Sequence, residues 1–212
     1  MEKNSVNIRT LVIFALFVAI IGVLSVTPLG MIPLGFMNAT TIHIPVIVGA
    51  IILGPKFGAA LGGVFGLVSF LKASFSPMVT SFLFSPLIPV PGTGRGSLWA
   101  LVIAFVPRIL VGVVAYYAYA AVRRISRNEA VAMGIGAFLG SMTNTAFVMS
   151  LIYVIFRGAY AEVVELAGRT IGVFIGMTVV INGIPEAIVA VVISVAVCKV
   201  LKKMIKTETA NA

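Results

Sequence analysis

A single cysteine, a single histidine and no aspartate leave this 212-residue chain almost without the side chains that build metal centres and catalytic constellations. One cysteine, Cys198, excludes an internal disulfide, and the ligand count excludes a zinc site. With one histidine and few carboxylates, no nucleophile, base and orienting group can be assembled; Ser150 and Ser194 lack a histidine partner in a neighbouring segment. Charge is scarce too. Charged residues make up 10% of the chain against 60% hydrophobic ones, where soluble proteins carry about a quarter. The class implied is a polytopic membrane protein, with residues 1–212 as one integral membrane domain. The net charge of +9 does not make it a nucleic-acid partner, because the basic residues sit at the ends of apolar runs rather than on one soluble face. Gly92-Thr-Gly-Arg-Gly96 imitates a phosphate loop but lacks the Lys-Ser/Thr pair and follows no strand. Lys3 and Arg9 precede an apolar run without a clear A-x-A site, so the first run reads as an uncleaved helix.

What is present is six apolar segments, roughly 8–26, 43–54, 57–72, 98–122, 131–156 and 171–198. They predict an all-α bundle of six transmembrane helices, the second and third short. The second covers about 18 Å of a hydrocarbon core about 30 Å thick. Gly54-Pro55 breaks it from the third, which carries Gly58, Gly62 and Gly66 along one face for close approach of a neighbour. An even count places both termini on one side. Lys3, Arg9, Lys56, Arg123, Arg124, Arg127, Lys199, Lys202, Lys203 and Lys206 share that side, against Lys72, Arg95, Arg157 and Arg169 opposite, so the termini are expected in the cytoplasm. Of the outer loops, 27–42 is uncharged and 73–97 is an apolar flap ending in a flexible PGTGRG hinge; both read as lids. The third, 157–170, reads as an ordinary polar connector. Matching broken helices in the two halves, as an inverted-repeat carrier would have, are missing.

Polar groups at membrane depth are the functional candidates. Arg108 follows Pro107 in the fourth segment, Asn144 lies in the fifth, and Asn182-Gly-Ile-Pro-Glu186 interrupts the sixth, with Asn182 and Glu186 four apart on one helical face. Together they form a polar belt. Arg108 and Glu186 either pair, locking two helices, or face a ligand; the two asparagines either bridge helices or hold amide and hydroxyl groups. Arg95, in its glycine-rich loop, is satisfied by an anionic ligand or by solvent. His43 before Pro45 is a cap, a packing residue or a ligand contact. Trp99 belongs to an interfacial aromatic belt or stacks on a ligand. Ala15 and Ala19 form a small-xxx-small face.

Four stretches carry a resemblance: Ala15 to Ala19, the block IPLGFMNATTIHIPVIVGAIILGPKFGAALGGVFGL at 32–67, FVPRILVGVVAYY at 105–117 and NGIPEAI at 182–188. The chain resembles, over nearly its whole length, the S component of energy-coupling-factor (ECF) vitamin transporters. That resemblance implies six helices, cytoplasmic termini in the plasma membrane of a prokaryote, and a vitamin site on the outer side under the first and third outer loops. It implies docking of Ala15 and Ala19 on a membrane coupling subunit, with two ATPase subunits consuming ATP, since this chain has no Walker motif and holds no cofactor itself. The component would carry its vitamin inward by rotating in the bilayer. NGIPEAI is most similar to pantothenate-type members, with riboflavin and folate members as near relatives. A carboxylate, an amide and two hydroxyls would meet Arg95, Asn144 and Asn182, over a floor made by 43–70. A membrane-embedded lipid-modifying enzyme and an autonomous channel or secondary carrier are the competing classes.

Overall fold

A computed structural model describes residues 8–33, 38–165 and 170–211. Helix α1 (Ile8–Val26) leads into a two-stranded antiparallel ribbon, β1 (Met31–Pro33) and β2 (Asn38–Thr40), then α2 (His43–Leu53) and α3 (Pro55–Phe75). A long segment with one 3-10 turn, Ser81–Leu83, called the outer segment after its expected side, connects to α4 (Trp99–Ile125), α5 (Glu129–Ile155) and the shorter α6 (Arg157–Glu165). The last run is continuous but not uniform: α7 (Ile171–Thr178), a π-helical turn (Val179–Gly183) and α8 (Ile184–Asn211). Among the described residues, five helical runs are long and apolar enough to cross a membrane: α1, α3, α4, α5 and Ile171–Met204. Helix α2, at 11 residues, spans only about 16 Å.

One expectation changes. The third helix is not short: α3 runs for 21 residues, about 32 Å. At its polar end Ser74 Oγ donates to Phe70 O at 2.8 Å and Lys72 Nζ to the Ser25 carbonyl at 3.4 Å, so both polar side chains find partners within the helical continuation. The fold is all-α as expected, with one short ribbon in the uncharged loop 27–42, where Met31 pairs with Thr40 and Pro33 with Asn38. Strand pairing satisfies backbone groups for which that loop offers few polar side chains.

Packing follows the small residues. A Cβ on Gly62 would stand 2.2 Å from the Arg108 carbonyl oxygen, and one on Gly66 would stand 2.9 Å from that of Ala104. A Cβ on Gly112 would meet the Gly58 carbonyl at 2.3 Å. Bare backbone thus lets α3 lie directly on α4 and fixes the height of Arg108 against it. Gly54, at φ +97°, makes the left-handed turn between α2 and α3, and Pro55 opens α3 at a position that needs no N–H. One apolar core joins α1, α2 and α3 through Phe17, Ile21, Ile47, Leu61 and Phe65, with the buried Cys198 among them. A second unites the outer segment with α5 and α6 through Phe82, Leu83, Ile152, Tyr160 and Val164.

Candidate functional site

Between the two cores lies a cavity of about 160 Å³, an order of magnitude more than the roughly 10–15 Å³ that one water needs. One wall comes from α3 and α4. Phe65, Ser69 and Lys72 recur along α3 at helical spacing, and Arg108 enters from α4. The Arg108 guanidinium is buried, at 7% exposure, between the rings of Phe65 (5.4 Å) and Phe84 (4.9 Å). Its Nη1 donates to the Ile103 carbonyl at 2.8 Å, while its Nε has no hydrogen-bond partner among the described residues.

The facing wall is built by α5, the π turn and α8. Asn144 and Thr145 on α5 meet Thr178, Asn182 and Glu186, which recur every four residues down the last helical run. Pro185 offers no N–H, and the chain before it widens so that the Ile184 N–H bonds the Val179 carbonyl five residues back. Asn182 sits in that widened turn. Asn144 is buried, and its Oδ1 has no partner among the described residues. Glu186 Oε1 accepts from the Thr40 backbone N–H at 2.6 Å, which ties the ribbon of the first outer loop to the cavity wall. Glu186 and Arg108 approach closely enough to feel each other's charge yet form no direct ion pair among the described residues, so a salt bridge does not lock α4 to α8.

The roof comes from the outer segment through Met78, Ser81, Leu83 and Phe84, and from α6 through Tyr160. Here the third outer loop departs from the polar connector expected of it: α6 inserts Tyr160, Val163 and Val164 into the second core. Burial pushes the Tyr160 phenol up to about 12. The PGTGR stretch is likewise a closed turn rather than a flexible hinge. The Val90 N–H bonds the Arg95 carbonyl at 2.9 Å, and the Thr93 hydroxyl contacts the Val90 and Arg95 carbonyls at 3.0 and 3.1 Å. Gly92 and Gly94, both at positive φ, make that turn possible.

Of the residues singled out from the sequence, Arg108, Asn144, Asn182 and Glu186 come together around the cavity. Arg95 lies exposed on the PGTGR turn and Trp99 is exposed at the start of α4; neither lines it. His43 is buried below, with Nε2 3.1 Å from Ser141 Oγ, joining α2 to α5. Ala15 and Ala19 lie exposed on α1, whose inward face is carried by Phe17 and Ile21.

The family model of the substrate-specific component of ECF transporters matches residues 9–198. The chain belongs to this family of S components. Over 167 residues, 79% of its length and 79% of the relative's, it is 41% identical to the pantothenic acid transporter PanT of Lactococcus lactis subsp. cremoris. Over 203 residues, 91% and 92% of the two chains, it is 32% identical to the pantothenate transporter PanT of Leuconostoc mesenteroides subsp. mesenteroides. Both are transporters, and this S component is a multi-pass membrane protein. Its cavity includes residues that sequence reasoning passed over, chiefly Lys72, Ser69, Phe65 and Tyr160. Phe65, Ser69 and Lys72 share a helical face, and Tyr160, Val163 and Val164 form an i, i+3, i+4 stripe; those periodicities were the available signals.

Proposed function

We propose that this S component captures pantothenate at the outer face of the membrane and delivers it inward by rotating in the bilayer with a coupling subunit and two ATP-consuming subunits. The observation that carries this reading is the cavity itself, where two cations, Lys72 and Arg108, face one carboxylate, Glu186, and two amides, Asn144 and Asn182. One excess positive charge suits a small monoanion that also offers amide and hydroxyl groups. Both relatives are named for pantothenate. Riboflavin, being uncharged, would leave the second cation unanswered. The remaining features of the reading are six membrane passes, with α2 sunk between longer neighbours, both termini in the cytoplasm, and no catalysis by the chain alone. Calorimetric titration of the purified chain with pantothenate, riboflavin and folate tests it. Pantothenate is expected to bind below micromolar and the others not at all. Absence of pantothenate binding in that range, or turnover of a lipid by the isolated chain, overturns the assignment.

A further inference from the structure

The two walls of the cavity differ in what they offer a ligand. Lysine and arginine carry donors only. Lys72 and Arg108 stand on the α3 and α4 side, with Arg108 Nε unpartnered and its guanidinium flanked by aromatic rings rather than by a carboxylate. A buried guanidinium whose cavity neighbour Glu186 makes no direct ion pair with it among the described residues keeps part of its desolvation cost, and an anion that reaches it relieves that cost. On α5 the unpartnered atom is an acceptor, Asn144 Oδ1, which calls for an N–H or O–H. On α8, Glu186 accepts the Thr40 N–H at Oε1 and lines the cavity as a further acceptor. Helix α5 contacts both α4 and α8, so by element the groups run from cationic donor through amide acceptor to carboxylate acceptor.

We propose that pantothenate lies in one orientation across this cavity: its carboxylate on Arg108 with Lys72 alongside, its amide N–H on Asn144 Oδ1, and its hydroxyls toward Glu186 and Asn182. This rests on the pantothenate reading above and extends it by naming Arg108, rather than the exposed Arg95, as the residue that selects for a carboxylate. The order of chemical groups along the ligand then matches the order of partners along the walls. The reverse orientation would set the carboxylate against Glu186 and leave Arg108 facing hydroxyls.

Titration of the full chain with pantothenate and with panthenol, in which a primary alcohol replaces the carboxylate, tests the assignment. Unsubstituted protein should prefer pantothenate by on the order of 10- to 100-fold, the range of a hydrogen bond to a charged group. Arg108→Gln should erase that preference, bringing the two affinities to within about twofold of each other, and Lys72→Gln should reduce it partially. Glu186→Gln should weaken both ligands alike and keep their ratio. A ratio that survives Arg108→Gln, or one that collapses in Glu186→Gln, overturns the orientation while the pantothenate reading stands. Should Arg108→Gln fail to fold, Lys72→Gln and the unsubstituted protein still decide: equal affinity for the two ligands refutes carboxylate selection. Binding of neither ligand by unsubstituted protein refutes the pantothenate reading itself.

Discussion

Glu186 holds two parts of the protein with one carboxylate. Its Oε1 accepts the Thr40 N–H at 2.6 Å, so the ribbon in the first outer loop hangs from the same side chain that lines the cavity. Hydrogen bonds to charged acceptors contribute about 1.5–3 kcal/mol. Removing this one by Glu186→Ala should speed exchange of the Thr40 amide by about 10- to 100-fold; Glu186→Gln, which keeps an acceptor oxygen, should speed it less. Hydrogen exchange read by mass spectrometry checks this, and unchanged protection in the alanine variant would show that other contacts hold the ribbon. The same residue shows what a sequence conceals. Arg108 is the one opposite charge at comparable depth, so a salt bridge is the natural expectation, whereas the actual partner is a backbone amide 146 positions away. Any residue but proline carries such an amide, so nothing in the letters marks it.

At the scale of elements, α3 against α4 is the contact that sets the site. Gly62 faces the Arg108 carbonyl so closely that a Cβ would stand 2.2 Å away, whereas one on Gly63 would meet nothing within 4 Å. Gly62→Ala should therefore destabilise by about 1–3 kcal/mol, the usual cost of overpacking, and weaken ligand binding by displacing Arg108. Gly63→Ala should be neutral or stabilising by up to about 1 kcal/mol through reduced chain entropy. Thermal unfolding of the purified variants separates the two, and equal effects would mean that α3 does not rest on α4 through this row. The row was legible in the sequence because Gly58, Gly62 and Gly66 repeat every four residues, as were the apolar runs and the break at Gly54-Pro55. Less legible was the end of α3, where Lys72 and Ser74 look like loop residues until their carbonyl partners, Ser25 and Phe70, are known. The outer segment and α6 were harder still. Ser85 and Phe82 are buried by packing across long stretches of chain, and Arg157 and Glu162 gave α6 a polar appearance that hid Tyr160.

For the whole molecule, α1 stands at the edge of the bundle, turning Phe17 and Ile21 inward and leaving Ala15 and Ala19 exposed. If that face docks the coupling subunit, Ala15→Trp with Ala19→Trp should abolish uptake in cells carrying the complete transporter while the purified variant still binds ligand. Loss of binding in calorimetry would instead give this face a role in folding. The arrangement of the two apolar cores has a different consequence. The cavity occupies the seam between them, with Phe65 belonging to the first core and Leu83, Ile152 and Tyr160 to the second. An occupant touches both at once and bridges them. Binding adds RT ln(1 + [L]/Kd) to the cohesion of whatever must part to release it. Helices α4 and α5 already run through both cores, so an occupant adds side-chain cohesion to a junction that the backbone holds, and retention of cargo and rigidity around the cavity become one property.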